Sequence, residues 1–483
     1  MANAGGGKIV SGMIWRFGEK ITAQAVSFLV SVVLARILLP EDYGIIGMVN
    51  IFIAIAEVFV TSGLGTALVQ KKDATETDFS TVFWCNMALP CVLYAVVFFT
   101  APWVADFYHT PQVTPVLRVL ALRLPVNAVN SIQNAWVSRR MDFRKFFFAT
   151  IIGTVISAVV GIVMALRGFG VWALVTQVLT NSIIDTIVLS LTIGWRPTKA
   201  FDKEAAKPLV SYGWKILATD LIGTVFNHLH SLVIGRKYTT EDLAYYTQGM
   251  RYPELVNANV SASLASVLFP AMSLSSGLEE IKAIRRKSLK MMEYIVFPVM
   301  LGMLTVAEPM ITALVTEKWL FSVPYLRVGC IVAMIGVLGA TLIQEIKAIG
   351  RSDITLKLEL VKKPVYLVIV LIAMQYGVDA IAYSLILIEI LAFCFNVYPV
   401  RKYIGFDFKM HFTDALPPLA MSGVMCAAVW GIGKLIPSAW PCLITQVIVG
   451  AGIYVGLSIL TKNDSFLYLK NMIQGKLSAL RGK

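Results

Sequence analysis

Charge is scarce in this sequence. Of its 483 residues, 15% are Asp, Glu, Lys or Arg, where a soluble domain carries about 25%. No polar stretch is long enough to build a large extramembrane domain. The motifs of common chemistries are also missing. There is no G-x-x-x-x-G-K-[ST] phosphate loop, no H-E-x-x-H, no G-x-S-x-G, no dinucleotide fingerprint and no D-x-D pair. A Walker-type ATPase, a zinc protease, a serine hydrolase and a metal-dependent sugar transferase all lose support, so no catalytic residue, no metal and no cofactor is expected. The cysteines (Cys85, Cys91, Cys330, Cys394, Cys426 and Cys442) lie in or beside apolar segments at spacings that fit neither a zinc site nor a redox pair. They are expected to be buried, inert thiols. The stretch from Met1 to Lys8 lacks the blocks of a removable signal peptide, so the first helix is expected to stay in the protein.

What the chain does have is apolar sequence. Hydrophobic residues make up 57%, and mean hydropathy is +0.73. A membrane-spanning helix needs roughly 20 mainly apolar residues. Such segments run over 11–38, 43–69, 79–105, 114–136, 146–167, 170–194, 209–235, 242–270, 290–315, 324–348, 354–376, 378–399, 414–436 and 441–461. This predicts an all-α integral membrane protein with about 14 transmembrane helices.

The net charge of +13 would suggest nucleic acid in a soluble protein. Here the basic residues collect in alternate loops, and no nucleic-acid partner is expected. One set of loops holds clusters such as Arg139, Arg140, Arg144 and Lys145, or Lys282, Arg285, Arg286, Lys287 and Lys290. The opposite set holds only Arg36, Arg167, Arg236, Lys237, Lys318 and Lys434. The positive-inside rule then puts both termini in the cytoplasm and makes the helix number even.

A shift of 200 aligns residues 29–70 with 229–270 without a gap. Leu29/Leu229, Val33/Val233, Arg36/Arg236, Glu41/Glu241, Asp42/Asp242 and Leu68/Leu268 are identities. Trp15-Arg16 faces Trp214-Lys215, and Arg118 faces Arg327. The chain reads as two related six-helix lobes followed by two further helices. The expected boundaries are an N-lobe at 1–200, a C-lobe at 201–410, the extra helices at 411–463 and a cytoplasmic tail at 464–483. An even number of helices per repeat gives both halves the same orientation. Such parallel repeats characterise secondary transporters with a site between the halves. The Glu-Asp pair that opens the second helix of each repeat is read as a local helix-start device.

Ionisable residues within apolar segments are costly and mark candidate sites. Asn50, Ala54, Glu57 and Thr61 share one narrow helical face, and the repeat maps them onto Met250, Glu254, Asn257 and Ser261. Gln248, Arg251, Asn259, Ser263 and Ser266 form a second polar face on the eighth helix. Arg251 lies about 15 Å past the helix start. Arg16 and Lys215 lie near the cytoplasmic ends of their helices, where they either snorkel or form a basic entrance. Arg123 precedes Pro125 and is a deeper candidate, whereas Arg118 and Arg327 are expected to snorkel or to pair between lobes. His228 and His230 point away from one another and read as packing residues.

Several stretches resemble bacterial polysaccharide exporters of the Wzx type, in particular the colanic-acid-type branch. They are Trp15 to Lys20, Leu34-Ala35-Arg36 through Gly44, Gly63 to Gln70, Phe79 to Trp84, and Tyr245 to Arg251. That family belongs to the superfamily of multidrug-and-toxin extruders and the peptidoglycan-precursor flippase. The resemblance implies two lobes around a central cavity and alternating access in the bacterial inner membrane. It implies an undecaprenyl-diphosphate-linked oligosaccharide as substrate, alongside membrane lipids and, as protein partners, a glycan polymerase and a chain-length regulator. Arg16, Arg123, Lys215, Arg251, Asn257 and Asn259 are then the candidate substrate residues. Glu57 and Glu254 either pair with the arginines or bind a coupling ion, a proton or sodium. A cation-coupled multidrug exporter on the same fold, and a membrane-bound glycan polymerase or acyltransferase, are the alternatives.

Overall fold

The computed structural model describes residues 2–61, 75–140, 142–198, 214, 217–275, 277–405 and 407–481. Lys215, the Gly63–Gln70 motif and the side chains of Ser263 and Ser266 lie outside the described residues. All regular structure among the described residues is helical. Ten of these helices are long and apolar enough to cross a membrane. The chain divides into two compact units, Met1–Ala244 and Tyr245–Lys483.

The first unit contains α1 (Ala2–Ile37), α2 (Pro40–Thr61), α3 (Glu76–Tyr108), α4 (Val113–Leu120), α5 (Arg123–Arg140), α6 (Phe143–Leu166), α7 (Val171–Thr192) and α8 (Leu229–Lys237). Helix α6 packs along both α7 and α1, while α3 packs on α4 and α5. The boundary falls inside α9 (Thr240–Ser273). The second unit continues with α10 (Leu278–Thr305), α11 (Ala307–Val315), a 3-10 turn (Glu317–Ser322), α12 (Val323–Ala348) and α13 (Ser352–Ala373). It ends with α14 (Val378–Tyr403), α15 (Phe408–Leu435), α16 (Ala439–Leu460) and α17 (Asp464–Arg481). Helix α10 packs on α12 and α15, α14 packs on α12, and α15 packs on α16.

The expected span 209–235 is interrupted at His228, and two others are broken as well. The segment 114–136 divides into α4 and α5, and the segment 290–315 divides between α10 and α11. Proline is the cause in both. Pro125 has no N–H for the Ala121 carbonyl, which instead accepts from the Leu124 N–H at 2.9 Å. Pro309 likewise cannot serve the Thr305 carbonyl, and α10 stops at Thr305. Proline also explains Arg118. Pro102 inside α3 leaves the Phe98 carbonyl without its helical donor. Arg118 Nε donates to that carbonyl at 3.0 Å, and its guanidinium stacks 4.3 Å from the Phe98 ring. Arg118 therefore repairs a helix of its own unit rather than snorkelling or pairing between lobes.

The repeated Glu-Asp corner is built alike both times. Asp42 accepts from the Leu39 N–H, and Asp242 from the Thr239 N–H, each at 3.1 Å. Each aspartate thus caps its helix start, and Thr239 completes a capping box on the second. Helix α2 approaches so closely here that a Cβ on Gly44 would clash with the Thr240 carbonyl. Helix α9 meets the next elements in the same way, because a Cβ on Gly249 would lie 2.5 Å from the Ser322 carbonyl oxygen.

The cysteines depart from expectation. Cys330 and Cys442 are buried and Cys85 and Cys426 half-buried, but Cys91 and Cys394 are exposed. Both exposed thiols lie on candidate membrane spans, where an uncovered side chain meets lipid.

The corner also predicts a pH response. Partial burial raises the Glu241 carboxyl above its usual range, and its hydrogen bond with Glu41 and the neighbouring Glu41 and Asp242 charges add to the rise. A raised folded pKa makes its stabilisation complete below the ordinary glutamate value of about 4.3 and lost as pH rises through the folded value. Glu241→Gln should therefore raise thermal stability near about pH 8 and change it little near about pH 4. Melting of purified wild type and variant in detergent at both pH values checks this. An equal shift at both would contradict it.

Candidate functional site

Polar groups inside an apolar bundle must find partners among themselves. In the first unit, Glu57 of α2 and Arg123 of α5 meet. Arg123 Nε lies 2.9 Å from Glu57 Oε1, and Asn127 Nδ2 donates to the same oxygen at 2.7 Å. Of the two roles left open for Glu57, its geometry is that of pairing. The pair is about a quarter exposed, 28% for Arg123 and 21% for Glu57, so it stays accessible from one side. Asn50 and Thr61, on the same stripe, are exposed.

Arg16 takes part in a second cluster. Its Nη1 lies 2.6 Å from Glu19 Oε2, and its guanidinium sits 4.7 Å from the Phe146 ring centroid. Glu19 also accepts from Thr150 Oγ1 at 3.4 Å. Asp185 of α7 lies in charge range of Glu19, and Gly153 of α6 makes room for its carboxylate. Sequence reasoning missed Glu19 and Asp185. The signal was available, since each is a carboxylate inside an apolar segment.

The second unit holds the α9 candidates. Asn257 bonds Glu254 and accepts from Ser261 Oγ at 3.4 Å. Asn259 is exposed and donates to the Leu255 carbonyl at 2.6 Å. Gln248, expected on an open polar face, is buried and donates to the Tyr252 hydroxyl at 3.0 Å. Its bond stays within its own helix. Arg251 is half-buried and makes no hydrogen bond or ion pair among the described residues.

Further charges extend this interior. Glu254 and Lys362 both lie in charge range of Glu389 on α14. Lys362 of α13, only 3% exposed, donates to Asn396 Oδ1 at 2.6 Å. Arg285 of α10 is buried against Glu345 of α12, with Nη1 2.9 Å from Oε2, while Nη2 reaches the Gly405 carbonyl at 3.1 Å. Glu293 is fully buried, its nearest basic atom being His411 Nδ1 at 3.7 Å. The reading of Arg285 as a loop charge is thereby corrected. Helix α10 starts at Leu278, so Arg285 lies on its second turn and faces inward.

No group of three or more His, Cys, Asp or Glu side chains is arranged to hold a metal among the described residues. The arrangement provides cations and charge pairs among apolar helices.

This is a multi-pass helical membrane protein with ionic clusters in both units. A family model described as polysaccharide biosynthesis protein matches residues 33–324. The chain belongs to that family, a family of polysaccharide exporters and not of enzymes. It is 24% identical over 477 residues to the succinoglycan biosynthesis transport protein ExoT of Rhizobium meliloti (strain 1021), covering 96% of this chain and 95% of that protein. It is 22% identical to the lipopolysaccharide biosynthesis protein WzxC of Escherichia coli (strain K12), covering 86% and 85%. The solved structure of the lipid II flippase MurJ, in an inward closed conformation, matches with a TM-score of 0.77 at 14% identity over 93% of this chain and 99% of that one. An inward-facing multidrug resistance transporter of the MATE family matches with a TM-score of 0.62 at 15% identity, over 79% and 95%. The fold is that of this transporter superfamily.

The buried pair gives a test of the second unit. Arg285→Met leaves the Glu345 charge buried without its cation, which should cost about 3–5 kcal/mol. Arg285→Met combined with Glu345→Leu should recover most of that loss. Thermal unfolding of the three proteins in detergent measures it. A double variant as unstable as the single would show that the pair does not act as a unit.

Proposed function

We propose that this chain flips an undecaprenyl-diphosphate-linked oligosaccharide from the cytoplasmic to the outer leaflet of the bacterial inner membrane, for exopolysaccharide or lipopolysaccharide synthesis. Membership of a polysaccharide exporter family supports the substrate class. The lipid II flippase among the proteins of like fold supports a lipid-linked form of it. In this reading two six-helix lobes, 1–200 and 201–410, alternate access to a cavity between them, and both termini are cytoplasmic.

The observation that carries the reading is Arg251. Arg16 and Arg123 each have a carboxylate partner. Arg251 has none among the described residues, yet it sits inside α9 with Glu254 one turn away. A half-buried guanidinium without a counter-ion among the described residues suits a diphosphate, which it can grip with two parallel hydrogen bonds. Arg16 and Arg123, softened by their carboxylates, offer weaker contacts along the path, and Lys215 adds to the entrance. Asn257 and Asn259 supply sugar hydroxyls with amide partners. The polyprenyl tail stays in lipid. Release requires that these contacts weaken in the outward state. Glu254, in charge range of Glu389, is the better placed of the two candidate carboxylates to answer a coupling ion.

Purified protein in liposomes, given a fluorescent undecaprenyl-diphosphate oligosaccharide, tests this through accessibility to an impermeant quencher. Arg251→Gln should slow flipping roughly ten- to hundredfold, the kinetic equivalent of one charged hydrogen bond. Fold retention is read from melting of the same samples. Absence of glycolipid flipping, together with ion-gradient-driven movement of a lipophilic cation, would favour the multidrug reading instead.

A further inference from the structure

Beyond the proposed transport path, the second unit contains a cavity of about 470 Å³. One wall comes from the C-terminal end of α10, from α11, from the 3-10 turn and from the start of α12. The other comes from the end of α15 and the start of α16. Its volume is within the roughly 300–1,000 Å³ of sites that hold small molecules.

Four charged side chains line it: Glu308 and Glu317, Arg327 and Lys434. None of the four makes an ion pair among the described residues, with one another or with any other group. All four side chains are exposed, so each is open to a partner outside the protein. Here they stand around an open space, two of each sign. A ligand carrying both a cation and an anion would complete both sets.

A buried polar group points the same way. Gln446 is only 3% exposed, and its Nε2 donates to the Val429 carbonyl at 2.9 Å. Its Oε1 is buried and makes no hydrogen bond among the described residues, and Gln446 is one of the residues around the cavity. That oxygen accepts and cannot donate, so an N–H or O–H that reaches it, once the amide turns toward the cavity, would satisfy it. A Cβ on Gly433 would lie 2.7 Å from Gln446 Nε2, so glycine there leaves room for the amide.

The surroundings give the depth. Trp430 and Trp440, at the facing ends of α15 and α16, are 59% and 48% exposed. Tryptophan concentrates at the headgroup level of a bilayer. One turn and more further along α16, Ile444, Val447 and Ile448 are exposed apolar residues that acyl chains can cover. By the charge rule this end of the helices is the outer one. A sugar would instead seek a free aromatic face, and Lys434 covers that of Trp430 with its ammonium 3.7 Å from the ring centroid.

We propose that this cavity binds the headgroup of a zwitterionic phospholipid with a primary ammonium, its phosphate held by Arg327 and Lys434 and its ammonium by Glu308, Glu317 and Gln446 Oε1. The lipid then occupies the opening between the extra helix pair and the body of its unit.

Native mass spectrometry of the full-length, delipidated protein tests this with three lipids of identical acyl chains: phosphatidylethanolamine, phosphatidylcholine and phosphatidylglycerol. Phosphatidylethanolamine should be retained at least about fivefold better than either, the effect of one or two charge-assisted hydrogen bonds. Glu308→Gln with Glu317→Gln should abolish the preference, because the ammonium loses its partners. Arg327→Gln should weaken all three lipids, since all carry the phosphate. Where the double variant fails to fold, Gln446→Leu is read by the same ratio and should reduce it. Equal retention of the three lipids by wild type overturns the proposal. So does a preference that survives both acidic substitutions, or binding of a neutral disaccharide to this cavity in place of lipid. None of these outcomes depends on glycolipid flipping.

Discussion

Hydrocarbon offers no hydrogen bonds, and that constraint organises this molecule. A carbonyl released by a proline or a charge placed on an apolar helix must be answered by protein. Phe98 shows the rule at the backbone. Pro102 opens its carbonyl, and Arg118, from a different helix, closes it. Arg285 and Glu345 show it for side chains, each buried and each the other's counter-ion. The same rule makes exceptions informative. Among the described residues, Arg251 is a cation without a counter-ion and Gln446 Oε1 an acceptor without a donor.

The two units meet the constraint in related ways. In the first, carboxylates on α1 and α2 are each answered by an arginine: Glu19 by Arg16, and Glu57 by Arg123 with Asn127. These pairs remain partly open, so they position cations and also moderate them. In the second, the corresponding helix α9 pairs Glu254 with Asn257, and Arg251 has no ion pair among the described residues. The repeat therefore preserves a polar stripe while redistributing its charge. Position 57 is glutamate and its counterpart 257 is asparagine, whereas the carboxylate has moved to 254 and a new cation stands at 251.

Much of this was legible in the sequence because hydropathy and helical period are local. The apolar runs predicted the all-helical class, and the shift of 200 predicted that the corners at Asp42 and Asp242 would be built alike. Glu57, Arg123 and Arg251 stood out as charges far from segment ends. The breaks at Ala121 and Val306 were less visible. They need the reader to weigh a single proline against a long apolar run, and in both cases the missing N–H prevailed. Pairings were not legible at all, since Arg285 and Glu345 are 60 residues apart in sequence. Arg285 was also hidden by its company, Lys282, Arg286, Lys287 and Lys290, which look like one basic loop. Only the helix, starting at Leu278, sends Arg285 inward and its neighbour Arg286 elsewhere.

That divergence decides how the two extra helices are held. Lipid is as apolar as leucine, so apolar surface alone gives helices little reason to associate within a membrane. Polar ties must supply it. Arg286, Lys290 and Tyr294 follow one face of α10 at intervals of four. Arg286 grips Asp414 of α15 through two hydrogen bonds, at 2.5 and 2.9 Å, and Lys290 reaches the same carboxylate at 3.1 Å. Tyr294 donates to Ser458 of α16 at 2.8 Å and accepts, at its carbonyl, from Tyr454 at 2.8 Å. The ion pairs among these ties lie in the first half of α10, and at its end Thr305 bonds Cys426 of α15. From Tyr294 to Thr305 the helix runs on for about 16 Å, and at its end the helices enclose a cavity and not a row of ion pairs. A pair of helices whose ion pairs lie at one end has its unmet charges at the other. The charges at the open end are therefore better understood as the walls of a site than as failed salt bridges.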